Sequence, residues 1–107
     1  MADSDTLARL EAVIAARRGA DPDSSYVARL NARGVRKIAQ KLGEEATETI
    51  IAALAEDRAA LVAEAADLLF HVLVLLGAKD VPLADVLAEL DRREGTSGIA
   101  EKASRKS

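Results

Sequence analysis

The sequence predicts an all-α protein: four to five helices around a central antiparallel helix hairpin, completed into a helical bundle by homodimerisation. Three observations lead there. The 107 residues include 23 Ala and 14 Leu against 2% aromatics, a composition that favours helix and is poor in the residues sheets prefer. Apolar residues recur at three- and four-residue steps through most of the chain. Residues 65–76 are apolar nearly all round, which in a helix means burial on every side. A chain this short can hardly surround such a helix by itself, so a twofold partner of the same sequence is expected to cover it.

Each element has a local cause. Leu7, Leu10, Val13 and Ile14 set a helical period over residues 5–18 that Gly19 stops. Residues 20–25 are dense in turn and capping residues, and Ser24 or Ser25 caps a short helix over 26–32 that Gly34 closes. Over Val35–Ala55 the apolar positions Val35, Ile38, Leu42, Ala46, Ile50 and Ala53 step by three and four. Gly43 interrupts that run at a cost of about 1 kcal/mol against Ala, which points to a packing or site role. Asp57 is the N-cap of the next helix, Arg58–Ala78. Asp80 and Pro82 end it, and Pro82 suits the first turn of a last helix striped by Leu83, Val86, Leu87 and Leu90. From Gly95 on there is no apolar period. The expectation is one domain over residues 1–94 and a tail, 95–107, without regular structure.

Composition also excludes. A net charge of −3 and two aromatic rings, Tyr26 and Phe70, leave neither the basic footprint nor the stacking platforms of a nucleic-acid binder. Without Cys there is no disulfide, thiol nucleophile or thiolate metal site. The N-terminus is acidic and lacks the basic-then-apolar start of a signal peptide, so a cytoplasmic setting is expected. A membrane span needs roughly 20 apolar residues; the run over 65–76 is shorter and holds Asp67 and His71, so no membrane role is expected.

The chemistry lies on the two long helices. Lys41, Glu44, Glu45 and Glu48 fall within an arc of about 100°, and Glu64, Asp67 and His71 within one of about 60°, each bordered by apolar residues. The short connection at Glu56 and Asp57 folds the helices into a hairpin that faces the acids toward one another. Acid pairs at i, i+3 are usually solvated helix faces, and like charges there destabilise the helix. Two pairs brought together on an apolar background need a counter-charge, and Mg²⁺, with oxygen ligands and places left for substrate phosphates, is the ion that fits. His71 reads either as a hydrogen-bonded core histidine or as a partner of the Asp67 carboxylate behind the metal ligands. Lys41 either offsets Glu44 and Glu45 or meets a phosphate. A di-iron bundle would want Glu-x-x-His, and Glu64 is followed at i+3 by Asp67. No phosphate-binding glycine loop and no nucleophile elbow is present.

Glu45-x-x-Glu48 followed by Glu64-x-x-Asp67 resembles the signature of the all-α nucleoside triphosphate pyrophosphatases, the MazG-like superfamily. Within that group the blocks 25–30, 34–48, 64–71 and 85–90 are similar to the phosphoribosyl-ATP pyrophosphatase family of histidine biosynthesis, and the resemblance covers residues 5–94. It implies an ATP-type nucleotide as substrate: Mg²⁺-dependent hydrolysis of phosphoribosyl-ATP to phosphoribosyl-AMP and pyrophosphate. Carried over, Glu45, Glu48, Glu64 and Asp67 would hold the metal, Glu44 or Glu45 would orient the attacking water, and Lys41, Lys37 and Arg29 would hold phosphates. Two positions depart from the pattern: Phe70 stands where Tyr is common, and Pro82 where a serine cap is expected. With no Cys and one His, the chain lacks the ligands of the zinc cyclohydrolase to which many relatives are fused. Two other functions use the same features: a housekeeping (deoxy)nucleoside triphosphate pyrophosphohydrolase, and a non-catalytic helical dimer.

Overall fold

The computed structural model describes residues 5–105, and among them it has six helices and no strand. These are α1 (Thr6–Arg17), α2 (Tyr26–Arg33), α3 (Val35–Ala55), α4 (Arg58–Ala78), α5 (Leu83–Arg93) and α6 (Gly98–Arg105). Helices α3 and α4 have the bounds the apolar period gives them. Joined through Glu56 and Asp57, they pack antiparallel in the most extensive helix contact of the molecule.

The helix ends follow local chemistry. Of the two candidate serines, Ser25 caps α2, its Oγ accepting from the Ala28 N–H at 3.2 Å. The Asp57 carboxylate accepts from the Ala60 N–H at 2.9 Å and starts α4. Pro82 offers α5 no side-chain cap, and a carboxylate from another helix takes that place: Glu11 of α1 accepts from the Leu83 N–H at 2.7 Å. A negative group there also meets the positive end of the α5 dipole.

The core is Ile14, Val27, Leu30, Ile38, Leu73, Val74 and Leu83, with Leu7, Leu10, Phe70, Leu75, Leu76 and Ala78 packed against it. It draws on α1, α2, the start of α3, the end of α4 and the start of α5, so it fills only one end of the hairpin. Toward the turn, the apolar residues Ile50, Ile51, Leu54 and Val62 are exposed, and Leu69 further along α4 is half exposed. By length and composition α4 is long and apolar enough to cross a membrane, but Glu64, Asp67 and His71 lie along it and its inner face is packed on α3. What remains is an uncovered apolar face on a hairpin.

Helices α2 and α3 meet at Gly34, which ends one and begins the other with φ 95° and ψ 170°. Side chains essentially never occupy that region, at a cost of about 1–3 kcal/mol. Space is not the constraint, since a Cβ at Gly34 would touch nothing. Gly34→Ala is therefore expected to lower stability by about 1–3 kcal/mol through backbone strain alone, read as a shifted urea midpoint at unchanged m. A midpoint equal to wild type would mean the corner has another conformation.

The tail differs from expectation. Instead of an unstructured segment from Gly95 onward, residues 98–105 form α6; residues 106 and 107 lie outside the described residues. Ser97 supplies the start, its Oγ accepting from the Ala100 N–H at 3.0 Å. Glu101, 4% exposed, supplies the anchor: its carboxylate lies 2.6 Å from Arg92, 3.6 Å from Arg93 and 3.5 Å from Arg105. Two of those partners belong to α5, so this helix rests on tertiary ion pairs that an apolar period does not reveal. Glu89 joins the same cluster, and Arg92 and Arg93 hold its carboxyl down from 4.5 to about 2. A lowered carboxyl stabilises the fold above its unfolded value and loses that contribution as pH falls. The pairing of Glu89 with Arg92 and Arg93 along α5 is thus complete above pH 4.5 and is lost toward pH 2. A carboxyl-carbon NMR titration of Glu89 is expected to show a midpoint near 2; an ordinary glutamate midpoint would mean that the pairing is absent in solution.

Candidate active site

The α3–α4 hairpin brings Glu45, Glu48 and Glu64 together: one carboxylate oxygen from each lies within 4.8 Å of the others. Glu45 and Glu48 stand one turn apart on α3, and Glu64 reaches in from α4. The spacing of the two helices is pinned at this level by Thr49, whose Oγ1 lies 2.8 Å from the Glu45 carbonyl and 3.1 Å from the Glu64 carbonyl. Glu45 is only 9% exposed. The Oε1 atoms of Glu45 and Glu64 are buried with no hydrogen-bond partner among the described residues. Burial, followed by the charge of Glu48 and then those of Glu45 and Asp67, pushes the Glu64 carboxyl up.

Buried carboxylate oxygens without partners are costly, and crowding like charges around them raises the cost. Oxygen-only donors at this spacing, with Glu48 and Asp67 open to solvent, fit a hard divalent cation that keeps part of its shell for other ligands. Asp67 stands outside the tight trio, one turn along α4, near enough for its charge to act on both Glu64 and Tyr26.

The structure sorts the remaining candidates. Glu44 is already engaged: it accepts from Gln40 at 2.9 Å and from Lys41 at 3.0 Å, and those bonds hold its carboxyl down. Lys41 is accordingly the partner of Glu44, which raises its own pKa. His71, 5% exposed, is bonded differently from the expected link to the Asp67 carboxylate. Its Nδ1 lies 2.7 Å from the main-chain carbonyl of Asp67, and its Nε2 lies 2.9 Å from the Tyr26 hydroxyl. The carbonyl one turn back lies directly beneath the ring, where the ring reaches it more readily than a carboxylate on the exposed side. A carbonyl can only accept, so Nδ1 carries a proton, and Nε2 is the ring atom that pairs with the Tyr26 hydroxyl.

Tyr26 is the residue that periodicity and motif spacing missed. Its ring lies nearly parallel to Phe70 with centroids 6.0 Å apart, and edge-on to His71 at 5.7 Å. Burial raises its pKa, opposed by Lys41 and reinforced by Glu45, Asp67 and Glu44. It therefore stands within electrostatic reach of the acids. On its other side it lines a cleft of 280 Å³ with Arg29, Leu30, Arg33, Lys37 and Lys41, between α2 and α3. The signal for this cleft was in the sequence: Arg29 with Arg33, and Lys37 with Lys41, are like-charge pairs at i, i+4 on successive helices. A larger cleft of 380 Å³, between α1 and the end of α4, is mostly apolar and contains none of the clustered acids.

Comparison with known proteins adds the family. Residues 7–94 match the model described as phosphoribosyl-ATP pyrophosphohydrolase. A protein of Novosphingobium aromaticivorans named phosphoribosyl-ATP pyrophosphatase is 72% identical over 105 residues, 98% of each chain. A protein of the same name from Rhizorhabdus wittichii is 70% identical over 100 residues, 94% of each chain. Another, from Erythrobacter litoralis, is 70% identical over 100 residues, 94% of this chain and 96% of its own.

Proposed function

The chain belongs to the phosphoribosyl-ATP pyrophosphohydrolase family, and from that premise we propose how its residues carry the reaction. It is a hydrolase of histidine biosynthesis, acting on phosphoribosyl-ATP to give phosphoribosyl-AMP and pyrophosphate. Those products require the α–β phosphoanhydride to break. Glu45, Glu48 and Glu64, joined by Asp67, hold Mg²⁺. The observation that carries this assignment is the pair of buried, unpartnered oxygens on Glu45 and Glu64. When bound, Mg²⁺ neutralises phosphate charge and polarises the oxygens of the bond that breaks.

The protein's own groups do the rest. Of the two candidates for orienting water, Glu44 has both oxygens occupied by Gln40 and Lys41, whereas neither carboxylate oxygen of Glu45 has a hydrogen bond among the described residues, which leaves one for the ion and one for the water. Glu45 therefore aligns the attacking water and draws its proton. Lys41, Lys37 and Arg29 face the substrate's phosphates. Through its bond to the Asp67 carbonyl, His71 fixes the α4 turn that carries Asp67, and through Tyr26 it ties that turn to α2. A second copy of the chain covers the exposed face of α3 and α4 in a homodimer, and the reaction takes place in the cytoplasm, without nucleic-acid or membrane partners.

The experiment is pyrophosphate release with Mg²⁺ from phosphoribosyl-ATP, beside ATP, dCTP and dUTP at equal concentration. Preference for phosphoribosyl-ATP is the expected result. Equal or better turnover of the simple triphosphates would move the function to nucleotide-pool cleaning through the same acids.

A further inference from the structure

Phosphoribosyl-ATP is anionic at both ends: a triphosphate on one ribose and a monophosphate on the other. We propose that the cleft between α2 and α3 is the subsite for the ribose 5-phosphate end, with Arg33 and Lys37 as its principal anion ligands, and that it distinguishes this substrate from ATP. The proposal rests on the functional reading above and divides the substrate between two places on the molecule.

Chemistry separates the two places. The acid trio repels a bare phosphate and takes one only together with a cation. The cleft is the reverse: its lining holds four cationic side chains, one tyrosine and one buried leucine, and no carboxylate. Lys41 is already paired with Glu44, and Arg29 donates its Nε–H to the Pro22 carbonyl at 3.1 Å. Arg33 and Lys37 have neither a hydrogen bond nor an ion pair among the described residues. They therefore face the cleft with donors to spare, and a monophosphate carries a charge of about −1.5 to −2 at neutral pH. An arginine fork and an ammonium group are what such a dianion recruits.

Size and position agree. Ligand clefts usually run from roughly 300 to 1,000 Å³, so 280 Å³ suits a sugar phosphate rather than a whole nucleoside triphosphate. Tyr26 lines the cleft and also stands within reach of the charges of Glu45 and Asp67, with its hydroxyl held by His71. A substrate lying across Tyr26 puts its monophosphate among the cations and its triphosphate at the acids. The Gly34 corner is what lets the cations of α2 and α3 converge on one cleft.

The test compares the full chain with Arg33→Gln and Lys37→Gln, and with Arg33→Lys as the charge-keeping variant; thermal transitions confirm folding. Binding of ribose 5-phosphate is followed by amide chemical shifts, and inhibition by pyrophosphate and by ribose 5-phosphate is measured against phosphoribosyl-ATP turnover. Each Gln variant is expected to raise KM for phosphoribosyl-ATP and weaken ribose 5-phosphate binding by about tenfold or more, with Arg33→Lys in between. Pyrophosphate inhibition is expected to stay within about twofold. If pyrophosphate inhibition weakens in parallel, the cleft holds the triphosphate end and the proposal is wrong. If ribose 5-phosphate binds the variants as it binds wild type, the cleft is not a phosphate subsite. Because that binding is read without turnover, an inactive wild-type chain would overturn the functional reading, while the chemical shifts would still decide whether the cleft takes a phosphate.

Discussion

Glu64→Gln will lose at least about 100-fold in turnover, the scale on which removing a charged group that acts at the transition state is felt, while the metal-free protein becomes no less stable. The two outcomes have one cause. The Glu64 carboxyl is pushed up by burial and by Glu48, Glu45 and Asp67, so the folded protein holds a proton there more firmly than the unfolded chain does. A group shifted this way stabilises the fold below its unfolded value, and the contribution disappears as pH rises through the raised one. Without metal, wild type is therefore expected to lose stability across that interval, and Glu64→Gln to lose less of it. Added Mg²⁺ raises the wild-type transition temperature by mass action and raises that of the variant much less. Thermal scans with Mg²⁺ and with chelator, run beside the turnover assay, check both halves. A variant that keeps full activity would remove Glu64 from the site, and one that melts early with or without metal would make it a structural residue.

The second large effect concerns assembly. Leu69→Glu is expected to convert the proposed homodimer into a monomer. Leu69 is 49% exposed on α4, on one stripe with Ala66 and Val62, and nearer the turn α3 leaves Ile50, Ile51 and Leu54 exposed. In a twofold interface a single substitution acts twice, and each buried, unpaired carboxylate costs several kcal/mol. The dissociation constant is expected to rise by at least about 100-fold, visible by sedimentation velocity at micromolar protein. A monomeric wild type at the same concentration would overturn the reading of this face.

Much of this architecture was legible in the residues, for reasons that separate it from what was not. The period of α3 and α4, the Asp57 cap and the convergence of Glu45, Glu48 and Glu64 follow from helix geometry and a two-residue connection, all local in the chain. The position of Asp67 outside the trio depends on a fraction of a helix turn, finer than 100° steps resolve. The bond of His71 to a main-chain carbonyl was hidden because spacing identifies neighbours and cannot choose between a side chain and the backbone beneath it. Tyr26 and α6 were missed for a shared reason. Their partners, His71 for one and Arg92 and Arg93 for the other, lie on different elements, and an apolar period carries no information about polar contacts between elements.

The hairpin has a bearing on the order in which the molecule forms. Every clustered acid comes from α3 or α4, two helices adjacent in sequence and joined by two residues, whereas the core also needs α1 and the start of α5. Contacts between neighbouring helices close small loops and form early; those that return the first helix to the end of the fourth close a large one and form late. The charge repulsion at the acids is thus expected to arise in the transition state for folding, before the outer helices dock. An ion held there as proposed is expected to speed folding as well as to slow unfolding, so the folding rate is expected to rise with divalent-cation concentration.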